Sequence, residues 1–251
     1  MQTRIKTEAE IKAMRQGGRI LATVLATLKE AVEPGMTTKD LAEIAKREIR
    51  GTGGTPTFLG QYGFPDVICI SLNDEIVHGI PSPKRVIKAG DIVSLDFGVT
   101  YDDMITDSAV SVVAGNLKNE KIHKLLRDTQ ASLSAGVSVI KSGVRVGDIS
   151  SKIQNVLDKG GYGIVRDMVG HGVGHQLHEE PNIPNYGKPG TGTKLSAGMT
   201  IAVEPMATLG DYRVFIDIDG WTVRSNDKSW SAHFEHTVLI TDKGVEILTK
   251  L

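Results

Sequence analysis

The sequence predicts an α+β fold built from two halves that repeat one another. Three observations carry this. Apolar residues at helical spacing fill two stretches near the start and two near the middle, and strand-like runs follow each pair. Short segments match at one common offset of 108: "PGMTTKDLAEI" (34–44) lies over "SGVRVGDISSK" (142–152), and "AGDIVSLDFG" (89–98) over "AGMTIAVEPM" (197–206). The second match sets Asp96 on Glu204, acid on acid. No Pro/Ser-rich linker separates the halves, so they read as one domain over 1–251, with halves of roughly 7–115 and 120–250.

The elements follow in order. Thr7 and Glu10 form a Thr-x-x-Glu capping box, and Ile11, Met14, Leu21, Val24, Leu25 and Leu28 continue at helical spacing. Gly17-Gly18 weakens the middle and predicts a kink. "EPGMT" (33–37) is a turn, and a second amphipathic helix runs from about Thr38 to Ile49. Residues 51–65, rich in Gly, Thr and Pro, read as loop. "DVICISL", "GDIVSLDFG" and "DSAVSVVAG" are strands. "NEKIHKLLRDTQASLSAGVSVI" and "GDISSKIQNVLDKGG" are helices, and "MTIAVEPMAT", "WTVRSNDKSW" and "HFEHTVLITDKG" return to strands.

Composition narrows the function. Of 251 residues, 24 % are charged and 40 % hydrophobic, with net charge −1. Without a basic run, a nucleic-acid partner is not expected. No apolar stretch approaches the ~18 residues of a membrane span, and "MQTRIKTEAEIKAMRQ" has no signal-peptide core. The single cysteine, Cys69, permits no internal disulfide and fits a reducing compartment, so the cytoplasm is the expected location.

Acids stand where acids are expensive. In "SLDFGVTYDDMITDSAV", a hairpin centred on Tyr101-Asp102 sets Asp96 directly opposite Asp107, with Cβ atoms ~4.5–5.5 Å apart. Carboxylates that close need a shared proton or a cation. Asp102 and Asp103 read as solvated turn residues. Glu204 sits in the apolar "TIAVEPMA", where Pro205 ends the ladder. Glu235 sits in "HFEHTVLI", on one face with His233 and Thr237. One buried acid can be a paired core charge; four, drawn from both halves, point to cations.

"GHGVGHQLHEEP" (170–181) adds imidazoles. His171 lies between glycines that let the backbone approach a site closely, and His178 follows seven residues on. His78, in "EIVHGIP", precedes Asp96 much as His178 precedes Glu204, if "NYGKPGTG" (185–192) is an insertion. His123, His175 and His233 read as surface or satisfied core residues, and Glu179, Glu180 and Pro181 as a strand end or turn. Four acids with one imidazole suit Mn, Fe, Co or Zn in an oxygen-rich site, and the acid count suits two ions ~3.5–4 Å apart.

At these residues the chain resembles the type I methionine aminopeptidases of the creatinase/aminopeptidase, or "pita-bread", superfamily, over essentially its whole length. "NDEIVHGIP", the Asp96/Asp107 pair, "GHGVGHQLHEEP", "AVEPM" and "HFEHTVLIT" match that family's motifs in order and spacing. The resemblance implies two α/β halves related by a pseudo-twofold around a curved antiparallel sheet. It implies that Asp96, Asp107, His171, Glu204 and Glu235 bind two divalent ions (Co, Mn, Fe, Zn or Ni), with Asp107 and Glu235 bridging. Water activated between the ions attacks the first peptide bond, Glu204 carries its proton, His178 stabilises the carbonyl oxygen, and His78 contacts the substrate backbone. Phe58, Gln61, Phe64, Cys69, Leu177 and Trp221 line the methionine pocket; a thiol among aromatics suits a thioether. Gln61 and Leu177 depart from the aromatics frequent there in the family. A small second substrate residue is favoured. The implied partners are the N-termini of nascent chains, with transient ribosome contact, acted on by a monomer.

Three alternatives compete. Proline-specific relatives of the same fold carry an extra N-terminal domain, for which the 77 residues before His78 leave no room. A binding module that has lost catalysis should lack ligands that this chain retains. A two-metal phosphatase or nuclease is disfavoured by the near-neutral charge and the apolar pocket.

Overall fold

The computed structural model describes residues 3–251. Its first half opens with helices α1 (Glu8–Ala31) and α2 (Thr38–Ile49), each begun by a capping box, Thr7 with Glu10 and Thr37 with Asp40. Strands β1 (Thr55–Pro56), β2 (Cys69–Leu72), β3 (Glu75–Val77), β4 (Ile92–Tyr101) and β5 (Met104–Val113) follow. The second half repeats the order with α3 (Glu120–Val137) and α4 (Val146–Gly160). Then come β6 (Gly163–Ile164), β7 (Gly170–Gly172), β8 (Glu179–Ile183), β9 (Thr200–Val203), β10 (Met206–Thr208), β11 (Val214–Ile216), β12 (Val223–Ser225), β13 (Ser231–His233), β14 (His236–Ile240) and β15 (Val245–Ile247).

All strand pairs are antiparallel. β1, β2 and β5 gather on β4; β15-β14-β9-β7-β8 forms the main sheet of the second half. Helices cover both: one apolar core joins α1 and α2 to β2 and β4, a second joins α3 and α4 to β9 and β14. The 108-residue offset recurs in the hydrogen bonds. The Gly35 amide donates to Ile87 O at 2.8 Å and the Gly143 amide to Leu195 O at 2.9 Å. Isolated bridges join Thr37 to Val86 and Arg145 to Lys194. The helix starts and the strands they precede are thus tied by the same backbone geometry in each half.

Three expectations need correction. Helix α1 runs through Gly17-Gly18 without a break. The glycines are there for contact: a Cβ on Gly18 would lie 2.2 Å from Leu248 O, so the C-terminal segment packs directly on the helix backbone. The β4–β5 hairpin turns on Asp102-Asp103, both left-handed (φ 46° and 61°), a conformation that short polar side chains tolerate. The register therefore pairs Asp96 with Ala109 and Gly98 with Asp107, so the two aspartates are diagonal neighbours on one face, not opposite each other. Finally, 179–183 is a five-residue strand, β8, rather than a strand end.

Candidate metal centre

The two halves meet along a polar seam, and the acids line up on it. The Glu235 amide donates to Ala109 O at 2.9 Å, and Ser108 Oγ donates to Glu235 O at 2.6 Å. Thr237 Oγ1 accepts from the Asp107 amide and donates to its carbonyl, at 2.9 and 2.8 Å. These bonds clamp the backbones of Asp107 and Glu235 side by side without using their carboxylates. The side chains of Asp107, His171 and Glu235 each offer a ligand atom within 4.8 Å of the others.

Glu204 and Glu235 are not inside continuous strands, as the alternation suggested. Val203 pairs with His236 and Met206 with His233, but Glu204-Pro205 and Phe234-Glu235 interrupt both strands of that ladder at one level. Proline has no amide to donate there. The break swings both glutamates toward the cavity. His171 reaches it from β7, with Nε2 3.4 Å from Glu204 Oε1. Its Nδ1 lies 2.9 Å from the Gly172 carbonyl, which only accepts, so Nδ1 carries the proton and Nε2 presents a lone pair.

The electrostatics is that of an uncompensated acid cluster. Asp96, Asp107, His171 and Glu235 are buried, and among the described residues no Lys or Arg pairs with any of the four acids. Burial pushes Asp96 up to about 7 and Glu204 up to about 8. Burial, then the neighbouring carboxylates, drives Asp107 and Glu235 well above the usual range. Burial, reinforced by His178, lowers His171 to about 3, which keeps it neutral. One oxygen each of Asp96, Asp107 and Glu235 is buried with no hydrogen-bond partner. Orphaned carboxylate oxygens around a neutral imidazole fit a divalent cation, which supplies the missing charge and coordination.

Above this floor opens a cavity of about 220 Å³. All five sequence-predicted ligands line it, together with His78 and His178. The His171 and His178 rings meet edge to face at 4.5 Å. Phe58, Gln61, Phe64, Cys69, Leu177 and Trp221, the expected pocket positions, line it too. Phe58, Phe64, Cys69 and Leu177 form one apolar cluster, with Trp221 edge-on to Phe64 at 5.2 Å. Burial, then Asp96 and Asp107, pushes the Cys69 thiol well up, so it is a neutral wall group.

Sequence reasoning missed several groups. Tyr62 stacks on His178 with ring centres 6.0 Å apart, and Val77, Met168 and Val169 complete the wall. Tyr62 was hidden in a Gly-rich loop; its left-handed φ of 49° is invisible to pattern reading. His233 is corrected from a satisfied core residue. It is buried, neither ring nitrogen has a partner, and Nε2 lies 3.5 Å from Glu204 Oε2. Its alternation with Glu235 was the available signal. His123 is satisfied, its Nε2 2.6 Å from Leu117 O, and His175 Nε2 lies 2.7 Å from Glu10 Oε1.

Buried, unpaired carboxylates gathered around His171 in an otherwise apolar-walled cavity define a candidate centre for divalent metal. Residues 12–242 match the model of metallopeptidase family M24. The methionine aminopeptidase of Clostridium perfringens is 46 % identical, with 98 % of each chain covered. A crystal structure of methionine aminopeptidase from Thermotoga maritima superposes with TM-score 0.97 at 44 % identity, covering all of both chains. Prolidase from Pyrococcus furiosus gives 0.78 at 26 %, and there the match covers 98 % of this chain but 65 % of the prolidase. The chain belongs to the methionine aminopeptidases of metallopeptidase family M24.

Proposed function

We propose that this chain is a methionyl aminopeptidase that removes the N-terminal methionine of polypeptides by metal-dependent hydrolysis of the first peptide bond. The observation that carries the reading is the orphaned acid cluster in one cavity with the apolar Phe58, Phe64, Cys69, Leu177 and Trp221. Asp96, Asp107, His171, Glu204 and Glu235 would hold two divalent ions; Co, Mn, Fe, Zn and Ni all suit the donor set. When bound, such ions supply Lewis acidity and an activated water.

The chain's own residues do the rest. Phe58, Phe64, Cys69, Leu177 and Trp221 take the methionine thioether, and Gln61 stands at the cavity's polar edge. The acids receive the α-ammonium, which restricts cleavage to the first bond. His178, reaching toward the mouth, donates to the scissile carbonyl oxygen and strengthens that bond as charge develops. Glu204 takes the proton of the attacking water and passes it to the leaving amine. His78 meets the substrate backbone past the cut, and a small second residue fits beside it. One catalytic domain with an internal repeat brings all of these together. The enzyme acts as a monomer in the cytoplasm on nascent chains, with transient ribosome contact.

The test is a panel of Met-X and X-Pro peptides assayed under defined metals. Met-Ala cleavage that chelation abolishes is expected; X-Pro cleavage in its place would reassign the enzyme. His178→Ala should keep bound metal, measured by elemental analysis, while lowering kcat. Loss of metal in that variant would overturn the role given to His178.

A further inference from the structure

The β11–β12 hairpin stands beside the pocket and wears its apolar side chains outside. Phe215 is 43 % exposed, Ile216 61 %, and Ile218 wholly so. Single exposed apolar residues are ordinary; alternation sets Phe215 on the opposite face of β11 from Ile216, and Ile218 follows Ile216 in the turn, so the candidate patch is Ile216 with Ile218. Asp217, the acid between them, is neutralised by Arg224 Nε at 2.6 Å.

The patch is continuous with the site. Trp221, in the turn that joins the two strands, lines the cavity. Across the sheet, Ile216 pairs with Val223, and Val223 with Val77, which lines the cavity next to His78. Cross-strand partners share a face, so Ile216 continues the pocket-side face outward. β11 is also an open edge, the last strand of the order β11-β12-β3. Asp217 donates to Thr222 O and Arg213 O accepts from Asn226, so residues 213, 215 and 217 turn their main chain toward β12. Alternation then points the N–H and C=O groups of Val214 and Ile216 at the open edge.

We infer that this hairpin binds the substrate polypeptide itself, as an extended segment on the edge of β11 with apolar side chains against Ile216 and Ile218. The inference rests on the aminopeptidase reading above. An exopeptidase pocket holds one residue, so everything after it must leave the cavity, and the hairpin, whose Trp221 lines that cavity, stands beside it. Two strand spacings of ~4.8 Å separate β3 from β11, which an extended chain covers in about three residues. With the second residue at His78, the substrate reaches the patch at about its fifth residue. Main-chain pairing is indifferent to sequence, which suits an enzyme with many substrates.

The experiment compares Met-Ala-Gly, Met-Ala-Gly-Gly-Gly-Gly and Met-Ala-Gly-Leu-Val-Gly in the metal-loaded enzyme and in Ile216→Thr/Ile218→Ser. Wild type should cleave the apolar hexapeptide with kcat/KM about tenfold above the polyglycine one, the gain expected from partly burying one aliphatic side chain. The double variant should lose that ratio. Its cleavage of Met-Ala-Gly, which ends short of the hairpin, reports an intact site. Equal rates for the two hexapeptides in wild type, or a ratio that survives in the variant, would overturn this inference alone. So would sedimentation showing the patch buried between two copies at assay concentration. Failure to cleave any of the three peptides would overturn the aminopeptidase reading and this inference with it.

Discussion

Lys6→Met should destabilise the enzyme far more than an N-terminal lysine ordinarily could. Lys6 has no side-chain exposure; its Nζ lies 3.2 Å from Glu179 Oε2 and donates to Thr3 Oγ1 at 2.8 Å. Burial lowers its pKa, opposed by Glu179. Glu179, 1 % exposed, uses its other oxygen to accept the amides of His175 and Gln176 at 2.8 and 3.0 Å, and so shapes the loop that delivers His178. The lysine stem crosses Gly174 so closely that a Cβ there would lie 2.5 Å from Cε. Removing the ammonium strands a buried carboxylate, which costs about 3–5 kcal/mol. For a 251-residue chain with an unfolding entropy of ~2.1 cal/mol/K per residue, that is a fall of about 6–10 °C in Tm. The assay is thermal denaturation alongside steady-state cleavage of a Met-Ala peptide, and kcat should fall as the His178 loop loosens. Lys6→Met/Glu179→Gln removes both charges and keeps an oxygen for the two amides, so it should recover most of the loss. A Tm within about 2 °C of wild type for Lys6→Met, or no recovery in the double variant, would refute the argument.

Three further outcomes follow from the same structure. Asp107→Asn should abolish metal uptake, measured by calorimetry on apoprotein, yet raise the apoprotein's Tm by about 2–5 °C, because it removes one of four crowded buried acids; a lower apoprotein Tm would contradict the repulsion. Glu10 is held down to about 2, first by the Thr7 amide and then by His175, against an ordinary 4.5. A carboxylate held low stabilises the fold above its unfolded pKa and loses that contribution as pH falls through its folded one. The Tm gap between wild type and Glu10→Gln should therefore be full at pH 7 and close between about pH 4.5 and 2 in a pH series. Gly98→Ala would set a Cβ 2.7 Å from Phe58 Cε1, pushing that ring into the methionine sleeve; KM should rise about tenfold while kcat is nearly held, and an unchanged KM would show that the ring yields elsewhere.

Much of the frame was legible because its signals are local. The Thr7–Glu10 box satisfies amides three residues away, and the 108-residue offset preserved the turns at Gly35 and Gly143. The buried acid cluster was legible for a different reason. A carboxylate in an apolar strand is costly, and the cost marks it whatever the tertiary fold. What stayed hidden depended on partners remote in sequence. Gly17-Gly18 reads as a weak helix unless the Leu248 carbonyl is known to lie on it. Lys6 looks like any surface lysine until Glu179, 173 residues on, is brought to it. His233 reads as bland because nothing local tells an imidazole facing a cavity from one packed in a core.

The breaks at Glu204-Pro205 and Phe234-Glu235 join these two kinds of information. Each alone reads as an acid in a strand. Together they form a single defect, because the ladder between β9-β10 and β14-β13 opens in both strands at the same level. An intact ladder would have held both glutamates to strict alternation, with side chains perpendicular to the sheet. At the break only the longer Phe234 N–H to Pro205 O bond, at 3.3 Å, crosses between the two strands, which leaves both backbones free to turn, and Glu235 N–H to Ala109 O and Asn185 Nδ2 to Glu204 O, at 2.9 and 3.0 Å, hold the two glutamates. The bond from Glu235 to Ala109 crosses from one half to the other. The same interruption that aims the acids therefore also ties Glu235 to the half that supplies Asp96 and Asp107, so that the site can assemble only when the two halves have docked.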